Sequence, residues 1–221
     1  MSSLWRCTIC GYIHTGSEPT AICPICAAGS EYFEKIGEAS IGAEGLQEVL
    51  LKVPCGLFVV SSIYEARPNG MINNTVFQIT DAPLQIILGM DKRHLTTEYI
   101  KQSGIFAVNF LQLSQLQLVK QFGFKSGREI DKFAGIEWNL GFTGAPILKE
   151  AVGYFECRVK SNMDVGSHLV FLAEVEKGVL PKDVTVLTYQ EYREHKHDLW
   201  EQTSQLTHEP KGIGACKSQI D

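Results

Sequence analysis

The stretch WRCTICGYIHTGSEPTAICPIC, residues 5–26, holds four of the seven cysteines of the chain. They form two Cys-x-x-Cys pairs, Cys7 with Cys10 and Cys23 with Cys26, and each pair lies in a segment typical of a tight turn. Two such turns that face each other place four thiolates at the corners of a tetrahedron, which suits zinc or a single iron ion. The stretch therefore predicts a metal site, with a disulfide framework as the weaker alternative.

The remaining composition is that of an ordinary globular protein. The chain has 221 residues, of which 44% are hydrophobic and 20% charged, enough for one medium domain and one small domain. The net charge of −5 argues against a nucleic-acid partner, because phosphate neutralisation needs a basic face. No apolar run approaches the ~20 residues of a membrane helix, so we expect no membrane span.

The cysteine usage also bears on the compartment. The first pair begins so early that no room is left for a signal peptide, so we expect a cytoplasmic protein. In a reducing compartment, closely spaced cysteines favour metal over disulfides. Of the other cysteines, Cys157 and Cys55 are expected to be buried beside or within strands, whereas Cys216 lies in a polar tail.

A change in pattern after the cysteine stretch predicts the domain organisation. Residues 1–38 form a small metal-knuckle domain, and the small and glycine residues at 39–45 form a linker. Residues 46–197 form a second, larger domain, and residues 198–221 form a tail.

Within the second domain, alternating runs such as YFECRVK (154–160) and HLVFLAEVE (168–176) predict half-buried antiparallel strands. The segment RPNGMINN (67–74) predicts a turn, with Asn69-Gly70 as a hairpin signal. Two short helices are expected to begin at Thr96 and Ser114, each acting as an N-cap. Together these strands and helices predict a mainly β fold, a barrel carrying helical decorations.

The two pieces WRCTICGYIHTG (5–16) and CPICAAGSEYFEKI (23–36) resemble the short rubredoxin domain of rubrerythrins. This resemblance implies one iron ion that shuttles a single electron and is held by Cys7, Cys10, Cys23 and Cys26. Zinc stays open as the alternative metal. About 36 residues cannot bury enough apolar surface to fold alone, so the metal would also stabilise the fold. Trp5, Tyr12 and Phe33 are expected to form its small core.

Residues 46 to about 195 resemble the flavin reductase-like family with an FMN-binding split barrel. The likeness includes NGMINNTVFQIT (69–80), FGFKSGREIDKF (122–133) and VGSHLVFLAEVEKG (165–178). The combination resembles the high-molecular-weight rubredoxins of anaerobes, which carry the rubredoxin domain at the C-terminus, whereas here it is N-terminal.

The second resemblance implies where FMN would bind. A strand would follow the flavin ring, two cationic loops would hold the ribityl chain and phosphate, and a histidine would lie near the flavin. The implied FMN-binding residues are Asn73, Asn74, Thr75, Gln78, Lys92, Arg93, Leu95, Thr96, Lys125, Ser126, Gly127, Arg128 and His168. Read without the resemblance, NNTVFQ (73–78) is a strand with polar residues that face solvent, and MDKRHLTTE (90–98) is a solvated charged turn.

Together the resemblances imply an oxidoreductase in which FMN accepts two electrons and the iron site takes them singly. NAD(P)H or another protein is the expected donor, and a flavodiiron protein or a rubrerythrin-type peroxidase the expected acceptor. No protein nucleophile is expected, and a homodimer with flavin near the interface is implied. No dinucleotide-binding or P-loop glycine motif is present, so NAD(P)H would stack directly on the flavin.

Two alternatives remain. One is a flavin reductase that releases reduced flavin and uses a structural zinc domain for docking. The other is a non-enzymatic binding module in which a zinc ribbon recruits a partner.

Overall fold

The computed structural model describes residues 2–38, 49–181 and 184–196. The predicted linker (39–45) and tail (198–221) lie outside these ranges, so the domain boundaries stay predictions. Within the described ranges, no helix is long and apolar enough to cross a membrane.

The N-terminal part is a three-stranded antiparallel sheet in the order β2-β1-β3. Its strands are β1 (Ser3–Cys7), β2 (Ile13–Gly16) and β3 (Phe33–Glu38). Its core consists mainly of cysteines, against which Tyr12 and Phe33 pack as expected. Trp5, which was expected there too, lies within β1 and donates its indole N–H to the carbonyl oxygen of Gly16 at 3.2 Å.

The larger part is a seven-stranded antiparallel sheet in the order β5-β4-β8-β11-β12-β7-β6. Its strands are β4 (Phe58–Tyr64), β5 (Arg67–Asn73), β6 (Val76–Asp81), β7 (Leu84–Asp91), β8 (Ile105–Phe110), β11 (Gly153–Asp164) and β12 (His168–Val179). Two short strands, β9 (Trp138–Leu140) and β10 (Pro146–Leu148), pair separately. The mainly β prediction is confirmed.

The first half of β12 alternates because one face is buried, whereas in β11 a register shift buries both Glu156 and Cys157. Cys157 of β11 is fully buried among Phe106, Phe171 and other apolar side chains, as the alternating pattern predicted. Cys55, also expected to be buried, is half-buried. This sheet core supports the place where β5 and β7 end and β12 begins, since Asn73 bonds Gly89 and Asp91 pairs with His168.

Helix α1 (Leu95–Ser103) follows β7, and helix α2 (Leu116–Gly123) follows β8; residues 189–196 are also helical. The N-cap predictions were wrong at both helices. His94 occupies the N-cap of α1, whereas Thr96 is buried within its first turn. A 3₁₀ turn precedes α2, and Gln112 and Gln115 cap it reciprocally instead of Ser114.

The predicted turn at Asn69-Gly70 was also wrong, because both residues lie inside β5. The chain reverses instead at Glu65 and Ala66, whose φ angles of 49° and 61° are left-handed. Gly70 is needed for close packing instead of for a turn, because a Cβ atom there would lie 3.0 Å from the ring of Phe122. Glycine therefore permits α2 to lie close to the sheet.

Ala66→Gly is expected to stabilise the protein by about 0.5–1 kcal/mol, because glycine relieves the left-handed backbone strain at this turn. Urea unfolding of the wild type and the variant measures the difference. Ala134→Gly is the control, since Ala134 is exposed in a turn without a left-handed φ, and glycine there should destabilise. Equal destabilisation by both substitutions would contradict the prediction.

Candidate metal centre and flavin cavity

The two cysteine turns have the same backbone geometry. In the first, Gly11 donates its N–H to the carbonyl oxygen of Cys7 at 2.9 Å; in the second, Ala27 donates to Cys23 at 2.9 Å. Gly11 and Ala27 both have a left-handed φ, 78° and 60°, which folds each turn tightly around its thiols. Ala27 adopts this conformation without the freedom of glycine, so the second turn carries local strain.

The four sulfur atoms form one cluster, all within 4.8 Å of one another. The Sγ atoms of Cys7 and Cys26 are 3.6 Å apart, as are those of Cys10 and Cys23. A tetrahedral metal site with metal–sulfur bonds of about 2.3 Å has sulfur–sulfur edges of about 3.8 Å, so the cluster fits such a metal. Three of the cysteines are fully buried and Cys10 is half-buried.

The four thiols lie close enough to shift one another's pKa values. Hydrogen bonds from Cys10, Cys23 and Cys26 lower the pKa of the Cys7 thiol. Contacts with Cys23, Cys26 and Cys7 raise the pKa of Cys10. Four crowded thiols cannot all ionise without a compensating charge, so a bound cation is needed to hold all four sulfurs as thiolates.

A cavity of about 450 Å³ lies between the first cysteine turn and the larger sheet. Its volume is in the range of small-molecule and cofactor sites. Cys7, Thr8, Ile9, Cys10 and Gly11 form one wall, and side chains of the larger domain form the opposite side. The metal centre and the cavity therefore share a boundary.

Seven of the thirteen residues implied by the flavin resemblance line this cavity. They are Asn73, Asn74, Thr75, Arg93, Lys125, Ser126 and His168. They come from β5 and its following turn, from the loop before α1, from the loop after α2 and from the start of β12. Together they offer amides, hydroxyls and cations, a donor set that fits the ring edge and phosphate of FMN.

The structure places the other six elsewhere. Gln78 bonds Asp81 at 2.5 Å, and Lys92 pairs with Asp164 at 3.0 Å. Arg128 pairs with Glu98 at the surface. Leu95, Gly127 and Arg128 line a second, neighbouring cavity, and Thr96 is buried in α1.

Arg93 is held at the boundary between the two parts of the chain. Its guanidinium group bonds both carboxylate oxygens of Asp91, with Nη2 at 2.6 Å from Oδ2. Although burial acts in the opposite direction, the hydrogen bonds from Arg93 lower the pKa of Asp91 to about 2. A Cβ atom on Gly11 would lie 3.4 Å from Nη2 of Arg93, so the first cysteine turn lies directly beside this ion pair.

Lys132 is a cavity residue that the sequence analysis missed. It is 5% exposed, and Nζ donates to the carbonyl oxygens of Gly70 at 3.1 Å and Phe122 at 2.8 Å. Burial lowers its pKa to about 8. An ammonium group has three donors, so one N–H is left for a ligand on this count of described contacts. The available signal was its position in the quoted segment FGFKSGREIDKF, directly before the apolar residue Phe133.

Other missed lining residues come from segments far apart in sequence. His94 lies at the start of α1, and burial lowers its pKa. Tyr189 and Tyr192 come from the helical residues 189–196 and stack with ring centroids 6.2 Å apart. Phe124 packs against both the cysteine cluster and the core of the larger part.

Two family models match the chain. Residues 50–197 match the flavin reductase like domain, and residues 5–34 match the rubrerythrin, rubredoxin-like domain. The rubredoxin-like expectation for the cysteine stretch is therefore confirmed.

Two curated relatives are similar to this chain. A ferric-chelate reductase (NAD(P)H) of Archaeoglobus fulgidus is 36% identical over 74% of this chain and 98% of its own length. A high molecular weight rubredoxin of Moorella thermoacetica is 37% identical over 64% of this chain, which spans only 62% of that protein.

Among solved structures, the flavin reductase HpaC complexed with NADP⁺ is 28% identical, with a TM-score of 0.59. The match covers 66% of this chain and 92% of HpaC.

Cys10→Ser is expected to reduce bound metal from about one ion per chain to a small fraction, because a hydroxyl group replaces one of four thiolate ligands. Metal analysis of the purified protein measures this. Cys55→Ser, outside the cluster, should keep the metal. Full occupancy in the Cys10 variant would contradict a four-thiolate site.

Lys125→Ala is expected to weaken FMN binding at least tenfold but to leave riboflavin binding nearly unchanged, because we expect Lys125 to donate a hydrogen bond to the phosphate, which riboflavin lacks. Fluorescence titration with both flavins measures the difference. Arg128→Ala is the control, since Arg128 lies outside the cavity and is paired with Glu98. Equal losses for FMN and riboflavin would place Lys125 away from the phosphate.

Proposed function

The chain belongs to the flavin reductase-like family of oxidoreductases, and from that premise we propose that it passes electrons from NAD(P)H, or from a protein donor, through FMN to one iron ion held by Cys7, Cys10, Cys23 and Cys26. FMN supplies two-electron acceptance and one-electron release, and the iron site supplies one-electron storage. The observation that carries the proposal is the shared boundary: Cys7 and Cys10 line the same cavity as Asn73, Lys125 and other implied flavin residues.

In this proposal the chain's own residues position the cofactor and shield it. Asn73 is fixed beneath the cavity, because its Nδ2 donates to the carbonyl oxygen of Gly89 at 2.7 Å and its Oδ1 accepts from Thr75 N–H at 2.7 Å. Lys125 and Ser126 hold the phosphate, and Lys132 adds a buried positive charge nearby. Ile25 and Phe124 supply apolar lining that excludes water on the metal side.

The relatives support the choice of donor and widen the choice of acceptor. NAD(P)H is part of the name of the Archaeoglobus reductase, and NADP⁺ is bound in the HpaC complex. We propose a flavodiiron protein or a rubrerythrin-type peroxidase as the physiological acceptor, in the cytoplasm. The name of the Archaeoglobus protein adds ferric chelates as acceptors to be tested.

We also propose a homodimer with flavin near the interface. It is supported by exposed apolar side chains at the sheet edge formed by β6, where Phe77 is 40% and Ile79 48% exposed. Leu84, at the start of the neighbouring β7, is 43% exposed. An apolar edge strand of this kind is suited to association with a second copy.

The deciding experiment uses the full chain produced with ample iron. Metal and flavin analysis should give about one iron and one FMN per chain. Anaerobic addition of NADH or NADPH should then bleach the flavin absorbance, followed by the iron–thiolate absorbance. The zinc-loaded protein serves as the control, because the flavin should still be reduced beside an intact four-thiolate site while the later iron phase is absent.

The other outcomes separate the alternatives. Zinc at the cysteines together with readily dissociating flavin would favour a reductase that releases reduced flavin. Iron and FMN that neither nicotinamide bleaches would move the donor to another protein. An absence of flavin affinity would overturn the proposal and favour the binding module.

A further inference from the structure

We propose that Lys196 is a positioning residue for electron transfer: its buried ammonium group is the counter-charge of the four-cysteine metal site and raises the reduction potential of the metal held there. This inference rests on the proposed function, because it requires a redox-active metal. It concerns a residue of the larger part of the chain that acts on the N-terminal metal centre.

The contact is direct. Lys196 lies in the helical residues 189–196 and is 5% exposed. Its Nζ donates to the carbonyl oxygen of Pro24, which stands between the ligands Cys23 and Cys26 in the second cysteine turn. The ammonium group therefore lies against the backbone that carries half of the metal ligands.

The helical segment offers Lys196 no carboxylate partner. Among the described residues, no carboxylate oxygen lies within 4.0 Å of the Lys196 Nζ atom. Glu191 instead bonds Thr188 at 2.8 Å, and Glu194 bonds Gln190 at 2.9 Å. A buried charge without a partner is costly, so an opposite charge nearby is expected.

The cysteine cluster supplies that charge. Burial lowers the pKa of Lys196, while the thiolate charges of Cys23, Cys26 and Cys10 act in the opposite direction. Arg193, one turn earlier, adds a second cation on this side, and its buried Nε has no hydrogen-bond partner within the described part of the chain. The cationic side of the helical segment therefore faces an anionic metal site.

The sign of the effect follows from charge balance. Four thiolates with a ferric ion carry a net charge of −1, and the same site with a ferrous ion carries −2. Reduction adds one electron and no proton, so a nearby fixed cation stabilises the reduced site more than the oxidised one. Removal of the cation should therefore lower the reduction potential.

The test is a spectroelectrochemical titration of the iron-loaded full chain, following the iron–thiolate absorbance. Lys196→Gln is expected to lower the equilibrium constant for one-electron reduction about tenfold, which equals about 59 mV. Lys196→Arg keeps the positive charge and should stay within about threefold of the wild type. The matched control is Lys35→Gln, which removes an exposed cation paired with Glu38 and should change the constant less than twofold.

Each outcome bears on the inference. A change in Lys196→Gln no larger than in Lys35→Gln overturns it, while a reversible iron couple leaves the proposed function intact. A wild type without any one-electron iron couple refutes the proposed function itself, and the inference with it. Loss of iron in Lys196→Gln but not in Lys196→Arg supports a requirement for the cation. Loss in both variants shows that side-chain shape rather than charge is needed, and overturns the inference.

Discussion

Mutual crowding of four thiols is the constraint on which the N-terminal part of this protein depends. The cysteine sulfurs occupy the position that an apolar core fills in larger domains, and Tyr12 and Phe33 pack against them. Such a core holds together only when a cation neutralises the thiolates, so metal binding and folding are linked. The larger part of the protein also contributes to the stability of this site, because its cations and aromatic rings lie around the cysteine cluster.

The cavity proposed to bind flavin depends on this arrangement. Without the first cysteine turn, the surface around Asn73 and Lys125 would lack the wall that Thr8, Ile9 and Cys10 provide. The wall is held by packing of Phe124 against both parts and by the closeness of Gly11 to Arg93. The metal centre thus shapes the cofactor site as well as adjoining it.

Local patterns in the sequence were sufficient for the strands and the metal ligands, whereas the cavity residues were predicted only through the resemblance to the flavin reductase-like family. Cys-x-x-Cys spacing and strand alternation are short-range signals, and they predicted the cluster and the burial of Cys157 correctly. The Asn69-Gly70 pair misled because glycine serves close packing as well as turns, and only the position of Phe122 distinguishes the two. Lys132 and Lys196 could not be predicted from the sequence, because each contacts a carbonyl group far away in the chain. Lys132 bonds the carbonyl oxygen of Gly70, and Lys196 bonds that of Pro24.

The contact between Lys196 and Pro24 joins residues separated by 172 positions in the chain. The N-terminal metal domain therefore lies beside the helical residues 189–196 of the larger part. The start of the larger part lies there too, because Tyr189 donates its N–H to the carbonyl oxygen of Cys55 at 2.9 Å, so a domain bound at this place can be joined to either end of the larger part. A circularly permuted chain with the cysteine turns after residue 196 should therefore keep the same arrangement of the two parts. The order of the domains along the sequence is then a poor guide to the path of the electron.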